Sequence, residues 1–440
     1  MRANMVTRGV LIAAPASGSG KTVVTLGLLR HLRQTGLRAA SVKVGPDFID
    51  PAFHTAAGGR SCLNIDTWAM RPETVQALAT RAGADAEVII GEGVMGLFDG
   101  APDGAGSTAD LARTTGWPVI LVVDAKGMGA SVAALLQGFL AHRRDVAVRG
   151  VIFNQVGSDR HEDILRTAAA PLGLVVLGCL PRATALTLPA RHLGLVQAVE
   201  HPDLEAFIAA AADLVATHVD VAGLIDLAGP CKLPVGRTSP PIPPLGQHIA
   251  VARDEVFAFA YPDVLDGWRG AGAQVSIFSP LADEGPEASA DAVFLPGGYP
   301  ELHAGRLAGN QRFLAGVRAA AARGAVLYGE CGGYMVLGRG LIDGAGARHA
   351  MAGILPLETS FAAPRLTLGY RQMAVREDGP LGRAGAAFRG HEFHFASTVD
   401  AQGAPAFACR DATGAKAGDA GLRVGTCVGS FIHLIDRVSD

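Results

Sequence analysis

Short, continuously apolar, β-branched runs alternate with amphipathic stretches through the first half of the chain. That rhythm leaves few folds open. Val10–Ala14, Ala39–Val44, Val88–Gly91, Val119–Val123, Val151–Asn154 and Val175–Cys179 read as strands buried on both faces. Stretches such as Val23–Gln34 and Pro72–Thr80 lie between them and read as helices. The expected fold class is therefore α/β, with a parallel sheet covered by helices on both sides. The pattern breaks around Gly229–Gln247. There Thr238-Ser239-Pro240-Pro241-Ile242-Pro243-Pro244 can be neither a helix interior nor a central strand. It reads as an extended, fairly stiff linker. A second alternation follows, with strands at His248–Val251, Gln274–Phe278, Ala292–Leu295 and Ala325–Tyr328. Its helices include Phe259–Gly270 and Gln311–Arg323, and the tail from about Met351 is richer in strand and turn pieces. The expected domains are residues 1–235 and 247–440, joined by a linker at 236–246.

Composition narrows the function classes. Hydrophobic residues make up 49% and charged residues 18%, which excludes disorder over most of the 440 residues. A formal net charge of −3 gives no electrostatic footprint for a nucleic-acid partner. The six cysteines are scattered with no C-x-x-C, so neither a zinc ribbon nor a disulfide scaffold is indicated. That usage fits a reducing cytoplasm, the expected location. No apolar run approaches the roughly 18 residues of a membrane span. The start, with Arg2, Arg8 and Gly9–Ala14, has the look of a signal peptide, but its apolar stretch is too short and runs into a glycine loop. Lysine is scarce: Lys21, Lys43, Lys126, Lys232 and Lys416 are all there is. The first three fall in the motifs below, where an ammonium point charge differs from a guanidinium fork.

Pro15-Ala16-Ser17-Gly18-Ser19-Gly20-Lys21-Thr22 follows a strand and precedes a helix, the context of a phosphate-binding P-loop. Backbone N–H groups of Ser17–Thr22 would cradle the phosphates of ATP, Lys21 would reach the β and γ groups, and the Thr22 hydroxyl would bind Mg²⁺. Pro15 stands where the usual pattern has its first glycine. Asp47 and Asp50 follow the second strand, Glu92 ends the third, and Asp99 lies just beyond. Carboxylates at this sheet edge can hold Mg²⁺ and position an acceptor. Asp beside Pro and Gly also simply makes turns. Asn154 ends a later strand, where an amide can read a purine edge.

In the second half, Tyr328-Gly329-Glu330-Cys331-Gly332-Gly333-Tyr334 forms a G-x-C-x-G elbow between a strand and a helix. Such a turn thrusts the thiol out, and the helix N-terminus is expected to favour the thiolate. The backbone N–H groups of Gly298, from Pro296-Gly297-Gly298-Tyr299-Pro300-Glu301, and of Gly332 are candidates for an oxyanion hole. His433 near the end is the candidate base. His391 and His394 compete with it, and as a metal pair they lack a clear third ligand.

These motifs together resemble the glutamine-dependent cobyrinic acid a,c-diamide synthase family over almost the whole length. The most specific pieces are Lys43–Pro51, Glu92–Gly100, Gly106–Ala112, Asn154–Ser158, Pro296–Leu302, Glu330–Gly333 and Gly429–His433. The first half also resembles dethiobiotin synthetase, and the second resembles the flavodoxin-like class I glutamine amidotransferase domain. The resemblance implies ATP- and Mg²⁺-dependent amidation of two acetate side chains on a corrin ring, with ammonia from L-glutamine. It implies Cys331 and His433 as catalytic residues. It gathers Thr22, Asp47 and Glu92 at Mg²⁺, with Lys43, Asp50, Asp99 and Lys126 toward the substrate and phosphoryl group. A homodimer is the assembly to test. The Arg- and Ala-rich composition favours the metal-free hydrogenobyrinic acid over cobalt-bearing cobyrinic acid. Nickel-sirohydrochlorin a,c-diamide synthase is a close alternative, and a partition-type P-loop ATPase switch is one from a different class. Triad amidotransferases usually carry His-x-Glu, but here the acid position holds Ile435. On an extended segment His433 and Asp436 point apart, so a Cys331–His433 dyad is expected, its imidazole held by a backbone carbonyl or another side chain.

Overall fold

A computed structural model describes residues 8–183, 186, 190–191, 194–236 and 239–438. It divides into two compact units, Met1–Trp68 with Pro72–Arg237, and Ala69–Arg71 with Thr238–Asp440.

The first unit is built on seven parallel strands: β1 Arg8–Ala13, β2 Ala39–Val44, β3 Leu63–Ile65, β4 Val88–Glu92, β5 Val119–Asp124, β6 Val148–Val156 and β7 Val175–Pro181. Their order is β3-β2-β4-β1-β5-β6-β7, and Gly229–Pro230 adds a short antiparallel pairing on β1. All six residues of β2 and all five of β4 are buried, Ser41, Lys43 and Glu92 included, so the strands are covered on both faces. Helices α1 Lys21–Gln34, α2 Asp50–Gly58, α3 Pro72–Gly83, α4 Thr108–Thr115, α5 Val132–His142 and α6 Asp159–Ala169 connect the strands, and α7 Leu204–His218 packs on α1. From β1 the chain moves out on one side to β2 and β3, returns to insert β4 beside β1, then crosses to β5 on the other side. The carboxyl end of β1 is therefore the switch point at which such sheets bind ligands.

The second unit holds a six-stranded sheet, ordered Gln274–Phe278, His248–Ala252, Ala292–Leu295, Val326–Glu330, Cys427–Ser430 and Leu422–Val424, with only the last antiparallel to its neighbour. Helices Pro262–Gly270, Gln311–Ala322 and Gly332–Leu337 accompany it. The strand-rich tail forms a five-stranded antiparallel sheet that includes Thr367–Val375, Ala387–His394 and Ile432–Arg437. One residue, Phe431, separates Cys427–Ser430 in the first sheet from Ile432–Arg437 in the second. The chain thus steps between sheets immediately before His433.

The proline-rich stretch, expected as an extended and fairly stiff linker, packs on the second unit. Ile242 and Leu245 are buried, and the indole Nε1 of Trp268 donates to the carbonyls of Ile242 at 3.1 Å and Pro243 at 3.2 Å. Its prolines cannot donate to a ladder, but their carbonyls accept and their rings pack. The segment is therefore part of the second unit's packing.

Candidate functional site

The P-loop is shaped by its glycine. Gly20 has φ +93°, and a Cβ there would sit 2.2 Å from Asn154 Nδ2. Asn154 donates that amide to Ser19 O at 3.0 Å. Here that amide braces the loop. Ser19 donates from Oγ to Ala16 O at 2.8 Å, while Ser17 and Gly18 are exposed. Lys21 is buried and donates from Nζ to Met95 O at 2.7 Å. Burial lowers its pKa, with Glu92 opposing.

Glu92 is the hub of the sheet edge. It pairs in register with Lys43 on one side and Ile12 on the other. Its Oε1 accepts from Thr22 Oγ1 at 2.8 Å and Lys43 Nζ at 3.0 Å. Its Oε2 lies 2.6 Å from His54 Nε2, whose Nδ1 is 3.4 Å from Cys62 Sγ. Lys43 also pairs with Asp50. Burial opposes the Lys43 charge, but Asp50 and Glu92 outweigh it and hold the ammonium well above its ordinary pKa. Burial and neighbouring Asp47 push Asp50 up to about 7 against the pull of Lys43. Lys43 is thus paired with two carboxylates of this edge. Asp47 Oδ1 accepts from the backbone N–H of Ile49 at 2.7 Å and of Asp50 at 3.0 Å, a turn that positions Asp50. Asp99 accepts from Gly96 N at 2.8 Å and is exposed. Lys126 is exposed on the loop after β5. The Thr22 hydroxyl and Glu92 carboxylate are hard oxygen donors at the phosphate loop. They suit Mg²⁺, which takes one or two protein oxygens and leaves the rest to phosphates and water.

His54 and Cys62 were missed from the sequence. His54 is four residues after Asp50, one helical turn along α2, and that spacing was the available signal.

The thiol elbow follows from close packing. Cys331 is buried with φ +45° and ψ −102°, a strained conformation outside the regular regions. A Cβ on Gly333 would lie 1.9 Å from Leu295 O, and one on Gly329 would lie 2.9 Å from Tyr334 N. Only glycines let the helix start press so closely on the sheet. Cys331 N donates to Ser430 O at 2.8 Å, tying the elbow to the segment that leads to His433. A Cβ on Gly297 would meet His433 Cε1 at 2.2 Å, His433 Nε2 at 3.0 Å and Cys331 Cβ at 3.2 Å. Imidazole and nucleophile thus crowd the same glycine. A Cβ on Gly332 would lie 3.1 Å from Gly298 N, which brings the two candidate oxyanion donors side by side.

The surroundings of Cys331 do not favour its thiolate. Burial, then the Glu301 carboxylate, push the Cys331 thiol well above its ordinary range, against the Gly332 N–H that lowers it. The helix that follows is only six residues long, a weak offset to that desolvation. On the other side of the imidazole, His433 Nδ1 lies 3.6 Å from Glu330 Oε2. His394 stacks on Phe431 with ring centroids 4.0 Å apart and its Nε2 is 3.1 Å from Glu392 Oε1. Among the described residues, no three His, Cys, Asp or Glu side chains gather as metal ligands.

Asp436 faces elsewhere. Its Oδ2 accepts from Arg71 N at 2.9 Å and its Oδ1 from Arg71 Nε at 3.0 Å. Arg71 belongs to the short segment Ala69–Arg71 that packs within the second unit. Asp436→Asn should therefore lower stability by about 3 kcal/mol, the usual cost of stranding one buried partner. Glutamine-dependent turnover of the folded protein should fall only a few-fold. Thermal melts beside turnover assays check this, and a collapse of turnover equal to that of His433→Ala would make Asp436 the acid of the thiol site.

Residues 10–196 match the family model of the CobQ/CobB/MinD/ParA nucleotide binding domain, and residues 248–438 match that of the CobB/CobQ-like glutamine amidotransferase domain. A Brucella anthropi protein named hydrogenobyrinate a,c-diamide synthase is 55% identical over 432 residues, covering 98% of each chain. Proteins of the same name from Rhizobium meliloti and Rhodobacter capsulatus are 55% and 52% identical, covering 97% of this chain and 99% and 98% of theirs. With two sites of the matching chemistry built into one polypeptide, the chain belongs to the hydrogenobyrinate a,c-diamide synthase family.

Proposed function

We propose that this protein amidates the a and c acetate carboxylates of hydrogenobyrinic acid in cobalamin biosynthesis, using ATP and L-glutamine. The observation that carries the reading is the identity of more than half of all positions to proteins of that name, over nearly the full length of both. A carboxylate is a poor electrophile because oxide is a poor leaving group. Phosphoryl transfer from ATP converts it to an acyl phosphate that ammonia can displace. The P-loop amides and Lys21 bind the phosphates and offset charge on the transferring group. Bound Mg²⁺ supplies further charge neutralisation there, and Thr22 and Glu92 would hold it, with Asp47 alongside. Asp50, Asp99, Lys43 and Lys126 shape the acceptor side.

In the thiol site, Cys331 Sγ attacks the glutamine amide carbon as its proton passes to His433 Nε2. The N–H groups of Gly298 and Gly332 receive the developing oxyanion. The tetrahedral adduct collapses to a thioester, and the leaving ammonia takes the proton back from His433. Water then releases glutamate and restores the thiol. A partition-type switch would need neither Cys331 nor His433. A homodimer remains the assembly to test.

The deciding experiment is mass spectrometry after turnover with ATP and glutamine, run separately on hydrogenobyrinic acid, cobyrinic acid and nickel-sirohydrochlorin. Two acid-to-amide exchanges are expected on hydrogenobyrinic acid. Exchange confined to another macrocycle would overturn the substrate, and none on any would overturn the reaction.

A further inference from the structure

The geometry points to Glu330, the residue directly before the nucleophile, as the positioning residue that holds His433 in the tautomer able to accept the Cys331 proton. This rests on the glutaminase reading above and goes beyond it. An imidazole that takes a proton at Nε2 must carry its own proton at Nδ1, and an acceptor at Nδ1 selects that tautomer.

Four side chains near His433 are less suited to this task. Ile435 is apolar and buried, and Asp436 is engaged by Arg71. His391 stands opposite His433 in the strand pairing, but burial and the adjacent His433 and Arg371 push its imidazole down to about 3. A neutral ring cannot stabilise the imidazolium that forms on His433 as a carboxylate does. Glu392 is held by Arg371 at 2.8 Å and by His394 at 3.1 Å.

Glu330 is buried and built in. Its Oε1 accepts from Tyr328 Oη at 2.8 Å and from Leu434 N at 2.9 Å, and Leu434 is the residue after the histidine. Burial and Glu330 itself hold the Tyr328 phenol well above its ordinary pKa, so it stays a donor. Two donors thus fix one carboxylate oxygen and aim the other, Oε2, at His433 Nδ1, 3.6 Å away. That is ion-pair range, longer than a hydrogen bond, and such contacts tighten when the imidazole gains charge during reaction.

The same two donors make the test directional. In Glu330→Gln they would hold the amide oxygen at the Oε1 position, so the NH₂ would face Nδ1. His433 would then be forced into the tautomer with its proton at Nε2, which cannot accept from the thiol. In Glu330→Ala the ring is free to adopt either tautomer. Glutamine-dependent kcat should therefore fall at least about a hundredfold in Glu330→Gln, further than in Glu330→Ala, with KM for glutamine little changed. Ammonia-dependent amidation and the melting temperature of Glu330→Gln should stay near wild type. A merely structural Glu330 predicts the reverse order, since Gln is the isostere and Ala leaves a cavity. A Glu330→Gln kcat within about threefold of wild type, or Ala more damaging than Gln, would overturn the proposal. If Glu330→Gln does not fold, Tyr328→Phe decides: it removes one anchor and should lower glutamine-dependent kcat several-fold, and an unchanged value overturns the proposal. Wild type and Cys331→Ala are assayed alongside. No glutaminase in wild type would sink the underlying reading, whereas an active wild type with a dead Cys331→Ala isolates the failure to Glu330.

Discussion

Lys21→Ala is expected to stop amidation from glutamine and from ammonium alike, with a loss on the order of a thousandfold in each. The ammonium is buried and sits among Glu92, Asp50 and Asp99, whose charges favour it, and beside Lys43, whose charge does not. Among the described residues its Nζ donates to the Met95 carbonyl, at the turn after β4. Three donors on one nitrogen leave room for phosphate oxygens. Alanine removes the charge that offsets the transferring phosphoryl group, and neither neighbouring lysine replaces it. Lys43 is consumed by Asp50 and Glu92, and Lys126 is exposed on another loop. Activation of the carboxylate precedes attack by any nitrogen source, so high ammonium cannot bypass the defect. The checks are ATP hydrolysis and product formation with each source. Ammonia-dependent turnover near wild type would overturn the P-loop assignment.

The sheets were legible because their strands are buried on both faces. β2 and β4 are buried throughout, with Ser41, Lys43 and Glu92 their only polar residues, and the predicted Gln274–Phe278 and Ala292–Leu295 coincide with the observed strands. The thiol elbow was legible because Gly329 and Gly333 are forced by contacts with backbone, so the spacing itself encodes the turn. Partners distant in the chain were not legible. Asn154 looks like a free amide at a strand end, but its partner Ser19 lies across the sheet edge on the P-loop. Gly106–Ala112 carries family resemblance, yet its observed work is local: Ser107 and Asp110 form the capping box of α4, and a Cβ on Gly106 would strike Trp68 at 2.6 Å. The proline stretch reads as a linker because its composition says nothing of Trp268, which receives it. Glu330 was the hardest case. It is adjacent to the nucleophile in sequence, but its role depends on a strand from the far end of the chain, and no periodicity links the two.

Cys331→Ala should abolish glutamine use, by at least about a thousandfold, and leave amidation from high ammonium close to wild type. The loss is steep because the thiol is the only atom placed to form the thioester. Its five fellow cysteines are Cys62, Cys179, Cys231, Cys409 and Cys427, none of which lies in an elbow beside His433. The sparing of ammonia follows from where the residue sits. Cys331 belongs wholly to the second unit, and every residue assigned to ATP and the acceptor carboxylate belongs to the first. The substitution also removes little. The backbone holding φ +45° is pinned by Cys331 N to Ser430 O at 2.8 Å, Gly333 N to Pro296 O at 3.0 Å and Met335 N to Cys331 O at 3.1 Å. None of these bonds needs the sulfur. Alanine therefore inherits the strain that cysteine already bears, and loses the sulfur's packing and a weak contact to Phe393 O at 4.0 Å. Free ammonia, unlike ammonium, is the nucleophile, so the spared activity should rise with pH toward the ammonium pKa while remaining ATP-dependent. Parallel assays with glutamine and with ammonium, each across pH, check both parts. Loss of both activities together, with a lowered melting temperature, would make Cys331 a structural residue.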